Sequence, residues 1–266
     1  MLPPPTVLVT RPSPEAERWV NALHQRGIAA EPLPLIAIQP LGATAPLARA
    51  RASLRSYAVV MFVSPNAVRC FYESNSPAAQ PQWAQAAIET RAWSPGPGTT
   101  QVLLEAGWPL ARIDQPAADA AQFDSESLWR QVGGQVRQGL RALIVRGGDA
   151  EGRPSGREWL AAQLQAAGVE VDEVAAYRRA APAAEGAWLA RAAAGAHDGS
   201  VWLFSSSEAV ANLRHHLPQT SWQRARALAT HPRIADAARA AGFGAVTPVR
   251  PMLDAVASSI KSLHDA

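Results

Sequence analysis

Four short patterns in the first half of the chain return, in the same order, in the second. Val7-Leu8-Val9-Thr10-Arg11 is answered by Ala142-Leu143-Ile144-Val145-Arg146, and Leu23-x-x-x-Gly27-Ile28-x-x-Glu31 by Leu164-x-x-x-Gly168-Val169-x-x-Asp172. Phe62-x-Ser64-x-x-Ala67-Val68 is answered by Phe204-x-Ser206-x-x-Ala209-Val210, and Pro97 through Gly107-Trp108 by Pro232 through Gly242-Phe243. All four are offset by between 135 residues (11 to 146) and 142 residues (64 to 206). One such match is noise. Four in order imply duplication of an α/β unit.

The local patterns agree. Thr6–Thr10 and Tyr57–Val63 are short β-branched or apolar runs of the kind buried on both faces in a parallel sheet. Each is followed by a helix signal. Ser13-Pro14 and Ser64-Pro65 read as N-caps with proline in the first turn, and Asp124 or Ser125 caps a further helix. Gly27 and Gly168 stand where helices stop. Strands alternating with helices of this length predict an α/β fold of two doubly wound parallel-sheet domains. The segment Ile28–Ile38 carries Pro32 and Pro34, which cannot donate ladder hydrogen bonds, so it reads as an edge or crossing strand.

Composition removes several classes of function. Of 25 basic residues 24 are arginine, with Lys261 the one lysine, but the net charge is only +3 and the arginines are scattered, which argues against nucleic acid. The nine tryptophans are spread along the chain, as core or interface residues are. No apolar run reaches the ~18–20 residues of a membrane span, so no membrane partner is expected. Cys70 is the only cysteine, and the N-terminus lacks a secretory pattern, so a reducing cytoplasm is the expected location. His215-His216 are helix neighbours that point about 100° apart, so no metal is expected there.

Parallel sheets present ligands at the carboxyl ends of their strands. The repeat puts Arg11, Ser64, Arg146 and Ser206 just after strands, where two such domains would face a ligand. Ser64 and Ser206 read either as plain N-caps or as markers of helix N-termini that hold carboxylates. Arg146–Arg157 has four glycines and three arginines in an R-G-G-D-A-E-G-R-P-S-G-R run, which resembles an anion cradle without matching a nucleotide-binding spacing. Pro95–Thr99 is a weaker loop of the same kind, and His231 reads as a cap or loop residue. The copies disagree at one informative place: nine residues past Gly168 stands Tyr177, and nine past Gly27 stands Ile36. Tyr177 is either a tyrosine snorkelling at a strand end or a proton donor. A phenol of pKa ~10 is a competent donor to a departing hydroxyl and a poor base at neutral pH.

With these motifs in place the chain resembles the uroporphyrinogen-III synthase family. The resemblance rests on V-T-R-P at 9–12, F-V-S-P-N-A-V at 62–68, G-P-G-T at 96–99, F-D-S-E at 123–126, L-I-V-R-G at 143–147, V-D-E-V-x-x-Y-R-R at 171–179, F-S-S-S-E-A-V at 204–210 and T-H-P-R-I-A-x-A-A-R at 230–239. It implies two α/β domains joined by two crossing extended segments: residues 1–36 with 181–266, and residues 40–174, with 37–39 and 175–180 as the crossings and large relative domain motion. It implies cyclisation of the linear tetrapyrrole hydroxymethylbilane, without cofactor, to uroporphyrinogen III, and a transient handover of that substrate from hydroxymethylbilane synthase. Tyr177 then matches the family's tyrosine proposed to assist hydroxyl departure. Ser64, Thr99 and Ser206 match its substrate-facing hydroxyls, with Arg11, Arg146 and Gly147 at strand ends. Pro232-Arg233-Ile234 stands where some members have P-T-T, so His231 or Arg233 would take the place of a threonine contact.

Overall fold

The computed structural model describes residues 5–42, 44–73, 89–149 and 151–264. Trp83 and the proline-bearing stretch around it lie outside these. Contacts divide the chain into two compact units, 1–38 with 180–266, and 39–179.

The first unit holds a five-stranded sheet. Strand β1 (Val7–Val9) lies between β2 (Ala30–Pro32) and β9 (Val201–Phe204), and β10 (Arg226–Ala229) and β11 (Ala245–Pro248) complete the order β11-β10-β9-β1-β2. All four pairings are parallel. Proline-bearing β2 is an edge, where its missing N–H costs no ladder bond.

Alternation along these strands loads both faces. Leu8, Trp202, Phe204, Ala227 and Ala229 point into one cluster, against helices α7 (Gly186–Ala194), α8 (Ser207–His216) and α9 (Pro232–Ala240). Val7, Val9, Val201, Leu203 and Leu228 point into the other, against α1 (Glu15–His24) and α10 (Leu253–His264). This double burial is why the strands read as unbroken apolar runs. Trp202 is fully buried, stacked on Phe204 and edge-on to Trp222 and Phe243.

The second unit holds a six-stranded sheet of order β3-β8-β7-β4-β5-β6. Its strands are β3 (Ala37–Pro40), β4 (Val59–Phe62), β5 (Arg91–Trp93), β6 (Ile113–Asp114), β7 (Arg141–Gly148) and β8 (Glu170–Ala180). Met61, Trp93, Ala142 and Ile144 face helices α5 (Ser125–Val132) and α6 (Trp159–Ala166). Phe62 turns the other way into an aromatic group with Phe71, Tyr72 and Trp108. Helices α3 (Pro65–Glu73) and α4 (Pro97–Glu105) cover that face, and α2 (Ala45–Ala52) precedes β4.

Two sequence expectations are corrected. Ser13 is not the cap of α1: the helix starts at Glu15, and the Ser13 hydroxyl donates to Glu17 Oε1 at 2.7 Å, so it serves a carboxylate and leaves the helix N–H groups to others. Residues 175–178, expected as part of a crossing, are extended and pair with β7 through Arg178 opposite Gly148. Arg146 does not follow its strand. It is the sixth of eight residues in β7, whereas Arg11, Ser64 and Ser206 each stand two residues past a strand end.

Candidate active site

In the second unit, Ser64 follows β4 and caps α3. Its Oγ accepts the Ala67 N–H at 3.1 Å and lies 3.0 Å from the hydroxyl of Tyr177, which β8 brings to the same end of the sheet. The serine is a two-way junction. One lone pair satisfies a helix N–H, and the remaining proton and lone pair are shared with the phenol. If Ser64 donates, the Tyr177 proton can pass to a third group; if Tyr177 donates, the serine proton can. Tyr177 is 3 % exposed, so this exchange takes place out of bulk water, where a hydrogen bond is stronger.

Gly147 is the cross-strand partner of Tyr177. Thr99 lies buried in the first turn of α4, and Gly98 beside it comes close to Pro65 at the start of α3, so two helix N-termini adjoin at this edge. Asp124 caps α5, its carboxylate accepting the Ser127 N–H at 2.8 Å.

Arg146 is engaged within its own unit. Its guanidinium donates to Glu173 Oε2 at 2.6 Å and to the carbonyl of Arg157, and the side chain is buried. In the glycine- and arginine-rich loop Arg153 pairs with the loop's own Asp149 and Glu151, and Arg157 pairs with Glu126 of α5. Backbone N–H groups of Glu151 and Arg153 converge on Asp149, holding its carboxyl below the usual carboxylate range. Each arginine of the loop thus already has a carboxylate partner.

In the first unit, Ser206 caps α8, its Oγ accepting the Glu208 N–H at 3.2 Å. His231 caps α9, with Nδ1 accepting the Arg233 N–H at 3.2 Å, which leaves the imidazole proton on Nε2. The register aligns Phe204 with Ala229, so these caps, each two residues further on, sit level on adjacent strands. Arg11 lies over the ring of Trp19, 4.4 Å from its centroid, and its Nε has no hydrogen-bond partner among the described residues. Burial pushes its guanidinium down to about 10, against a smaller opposing pull from Glu15. Arg233 is exposed. Among the described residues no three His, Cys, Asp or Glu side chains gather as a metal site, and no helix is long and apolar enough to cross a membrane.

Sequence reasoning missed Glu173 and the bulge that aims Tyr177. Glu173 stood in the quoted V-D-E-V motif, but its partner is 27 residues away and only the β7–β8 pairing reveals it.

The family model described as "Uroporphyrinogen-III synthase HemD" matches residues 17–258. The chain belongs to the uroporphyrinogen-III synthase family. A curated uroporphyrinogen-III synthase of Chlorobaculum parvum is 31 % identical over 143 residues, and the match spans about half of either protein, 53 % of each. In fold the chain is similar to a mutant uroporphyrinogen III synthase of Thermus thermophilus, with a TM-score of 0.56 and 16 % identity over 98 % of this chain and all of that one. It is similar also to the Helicobacter pylori uroporphyrinogen-III synthetase, with a TM-score of 0.57 and 14 % identity over 97 % and 99 %. The two-sheet α/β architecture is thus that of the family.

Proposed function

We propose that this chain is a uroporphyrinogen-III synthase that cyclises hydroxymethylbilane with loss of water and inversion of the last pyrrole ring, and that Tyr177 donates the proton to the departing hydroxyl. Family membership supports the reaction. The observation that carries the residue assignment is the 3.0 Å contact between Tyr177 and the helix-capping Ser64.

The chemistry asks little of the protein beyond a donor and a mould. The lone pair of the first pyrrole nitrogen drives out the hydroxyl, which leaves as water once protonated, and an azafulvene remains. The substituted carbon of the last ring attacks it, giving a spiro intermediate that rearranges to the inverted macrocycle. Unassisted closure joins the unsubstituted carbon instead, so holding the chain ends in one geometry decides the isomer. Ser64 keeps one proton available on the phenol–serine pair throughout, and the N-terminus of α3 behind it favours the negative charge left on the pair after donation.

The substrate's many carboxylates suit dispersed donors. Ser64 and Thr99 in one unit, and Arg11, Ser206 and His231 in the other, supply hydroxyls, helix N-termini and one cation for them. Arg146 acts at one remove by fixing β8 and the 149–157 loop. No cofactor enters this scheme. A cytoplasmic setting and handover from hydroxymethylbilane synthase fit a labile substrate.

Incubation with hydroxymethylbilane and separation of the uroporphyrinogen isomers tests the reaction: isomer III is expected, and formation of isomer I alone refutes it. Tyr177→Phe is expected to lower turnover about 100-fold, the low end for a general acid because the pyrrole does much of the expulsion. Full activity of that variant would remove Tyr177 from the scheme.

A further inference from the structure

We propose that Gly147 is a positioning residue: its missing side chain, with one extra residue in the facing strand, seats the Tyr177 phenol against Ser64. The proposal rests on the reading of Tyr177 as proton donor.

The β7–β8 register breaks once. Arg146 is opposite Ala175, but Gly147 is opposite Tyr177, so Ala176 is an inserted residue with no counterpart on β7. A bulge of this kind bends its strand and re-aims the next side chain. Its signature is visible in burial: β8 alternates between exposed and partly buried from Glu170 to Glu173, then buries Val174, Ala175, Ala176 and Tyr177 in succession. In an unbroken register Ala176 would face Gly147 and Tyr177 would face Gly148.

The glycine is required for space and not for backbone freedom, since Gly147 is not among the glycines with positive φ. A Cβ there would lie 3.1 Å from Tyr177 Cε2, 3.2 Å from Cζ and 3.5 Å from the hydroxyl oxygen. These are the ring atoms that carry and flank the reacting O–H. The ring has little room to yield, because its oxygen is held at 3.0 Å by Ser64, which is itself held by the Ala67 N–H. The strand cannot retreat either: the Gly147 carbonyl accepts the Ser155 N–H at 2.9 Å.

Gly148 makes the contrast. A Cβ there would meet Ala175 Cβ at 2.9 Å and the Arg153 carbonyl oxygen at 3.0 Å, so that glycine serves the loop and not the tyrosine. Two successive glycines thus have separate duties. A methyl group at 147 would push the phenol a few tenths of an ångström from Ser64.

The test is steady-state kinetics with hydroxymethylbilane on the wild type, Gly147→Ala, Tyr177→Phe and the double variant. Gly147→Ala is expected to lower kcat about 3- to 10-fold with KM changed less than about 2-fold, since misplacement by 1 Å can cost about 100-fold. In the Tyr177→Phe background, Gly147→Ala is expected to cost nothing more. Unchanged kcat in Gly147→Ala, or losses that multiply in the double variant, would overturn the proposal while leaving the role of Tyr177 standing. An unaffected Tyr177→Phe would instead remove the underlying reading. Should Gly147→Ala fail to fold, Gly147→Ala/Tyr177→Ala decides: recovery of folding identifies the ring as the obstacle, and persistent misfolding overturns the proposal.

Discussion

Replacing Ser64 by alanine removes two bonds with one atom, and the double-mutant cycle with Tyr177→Phe separates them. The Oγ accepts the Ala67 N–H as the cap of α3, worth about 1 kcal/mol, and shares a hydrogen bond with Tyr177, worth about another 1 kcal/mol net. Ser64→Ala should therefore cost about 2 kcal/mol. Tyr177→Phe keeps the buried ring and removes the shared bond, so it should cost about 1 kcal/mol for that bond. The double variant loses each bond once and should cost about 2 kcal/mol, not the ~3 kcal/mol of independent sites. The coupling of about 1 kcal/mol is read from urea unfolding midpoints at constant slope. Hydrogen exchange gives a second readout: the Ala67 amide should lose protection in Ser64→Ala and keep it in Tyr177→Phe. Additivity within about 0.3 kcal/mol would show that the two hydroxyls do not share a bond in solution.

Three further outcomes follow from the same geometry. Arg146→Gln unpairs Glu173 and frees the Arg157 carbonyl; because the Glu173 side chain is 26 % exposed, the cost should sit at the low end for a broken buried pair, about 3 kcal/mol by chemical unfolding, and a loss under about 1 kcal/mol would deny the pair its structural role. Gly27 and Gly168 both end helices at positive φ, but a Cβ at 27 meets open space while one at 168 would lie 2.8 Å from Gln138 Cγ, so Gly27→Ala should cost about 1 kcal/mol and Gly168→Ala visibly more; equal costs would refute the contact. Burial lowers Arg11 to about 10, well below the ordinary arginine value that the unfolded chain keeps, so below pH 10 the folded state carries the penalty of a desolvated cation in full. As pH rises from there the folded state releases its proton first and the group's contribution to stability increases, which means that Arg11→Met should melt no lower than wild type at about pH 8. A clear drop in Tm would show that the cation is stabilising where it stands.

The parts of the fold that repeat at fixed spacing were legible, because each is decided locally. A serine two residues beyond a buried strand and just ahead of Pro65 or Glu208 has one economical use for its hydroxyl, and both Ser64 and Ser206 are caps. The edge position of β2 followed from Pro32 by the same kind of local reasoning. The bulge at Ala176 was not legible. Val174-Ala175-Ala176-Tyr177 fits either alternation, since alanine is tolerated on both faces, and register is a property of the pair with β7.

Charge was the least legible quantity, and the duplicated positions show why. Arg11 and Arg146 occupy the same place in the repeat, yet one lies over Trp19 with its Nε unpartnered among the described residues, while the other is neutralised by Glu173. The pair forms because Glu173 sits opposite Ile144, diagonal to Arg146 on the neighbouring strand, and nothing within either repeat states that adjacency. Conversely, Ile36 and Tyr177 differ in chemistry at one repeat position and are equally buried, at 3 % exposure each. Ile36 dissolves into the apolar core of its unit, whereas Tyr177 arrives at a helix cap with a hydroxyl to share. A duplicated scaffold therefore predicts where a side chain will stand, and the partners that each copy acquired separately decide what it can do there.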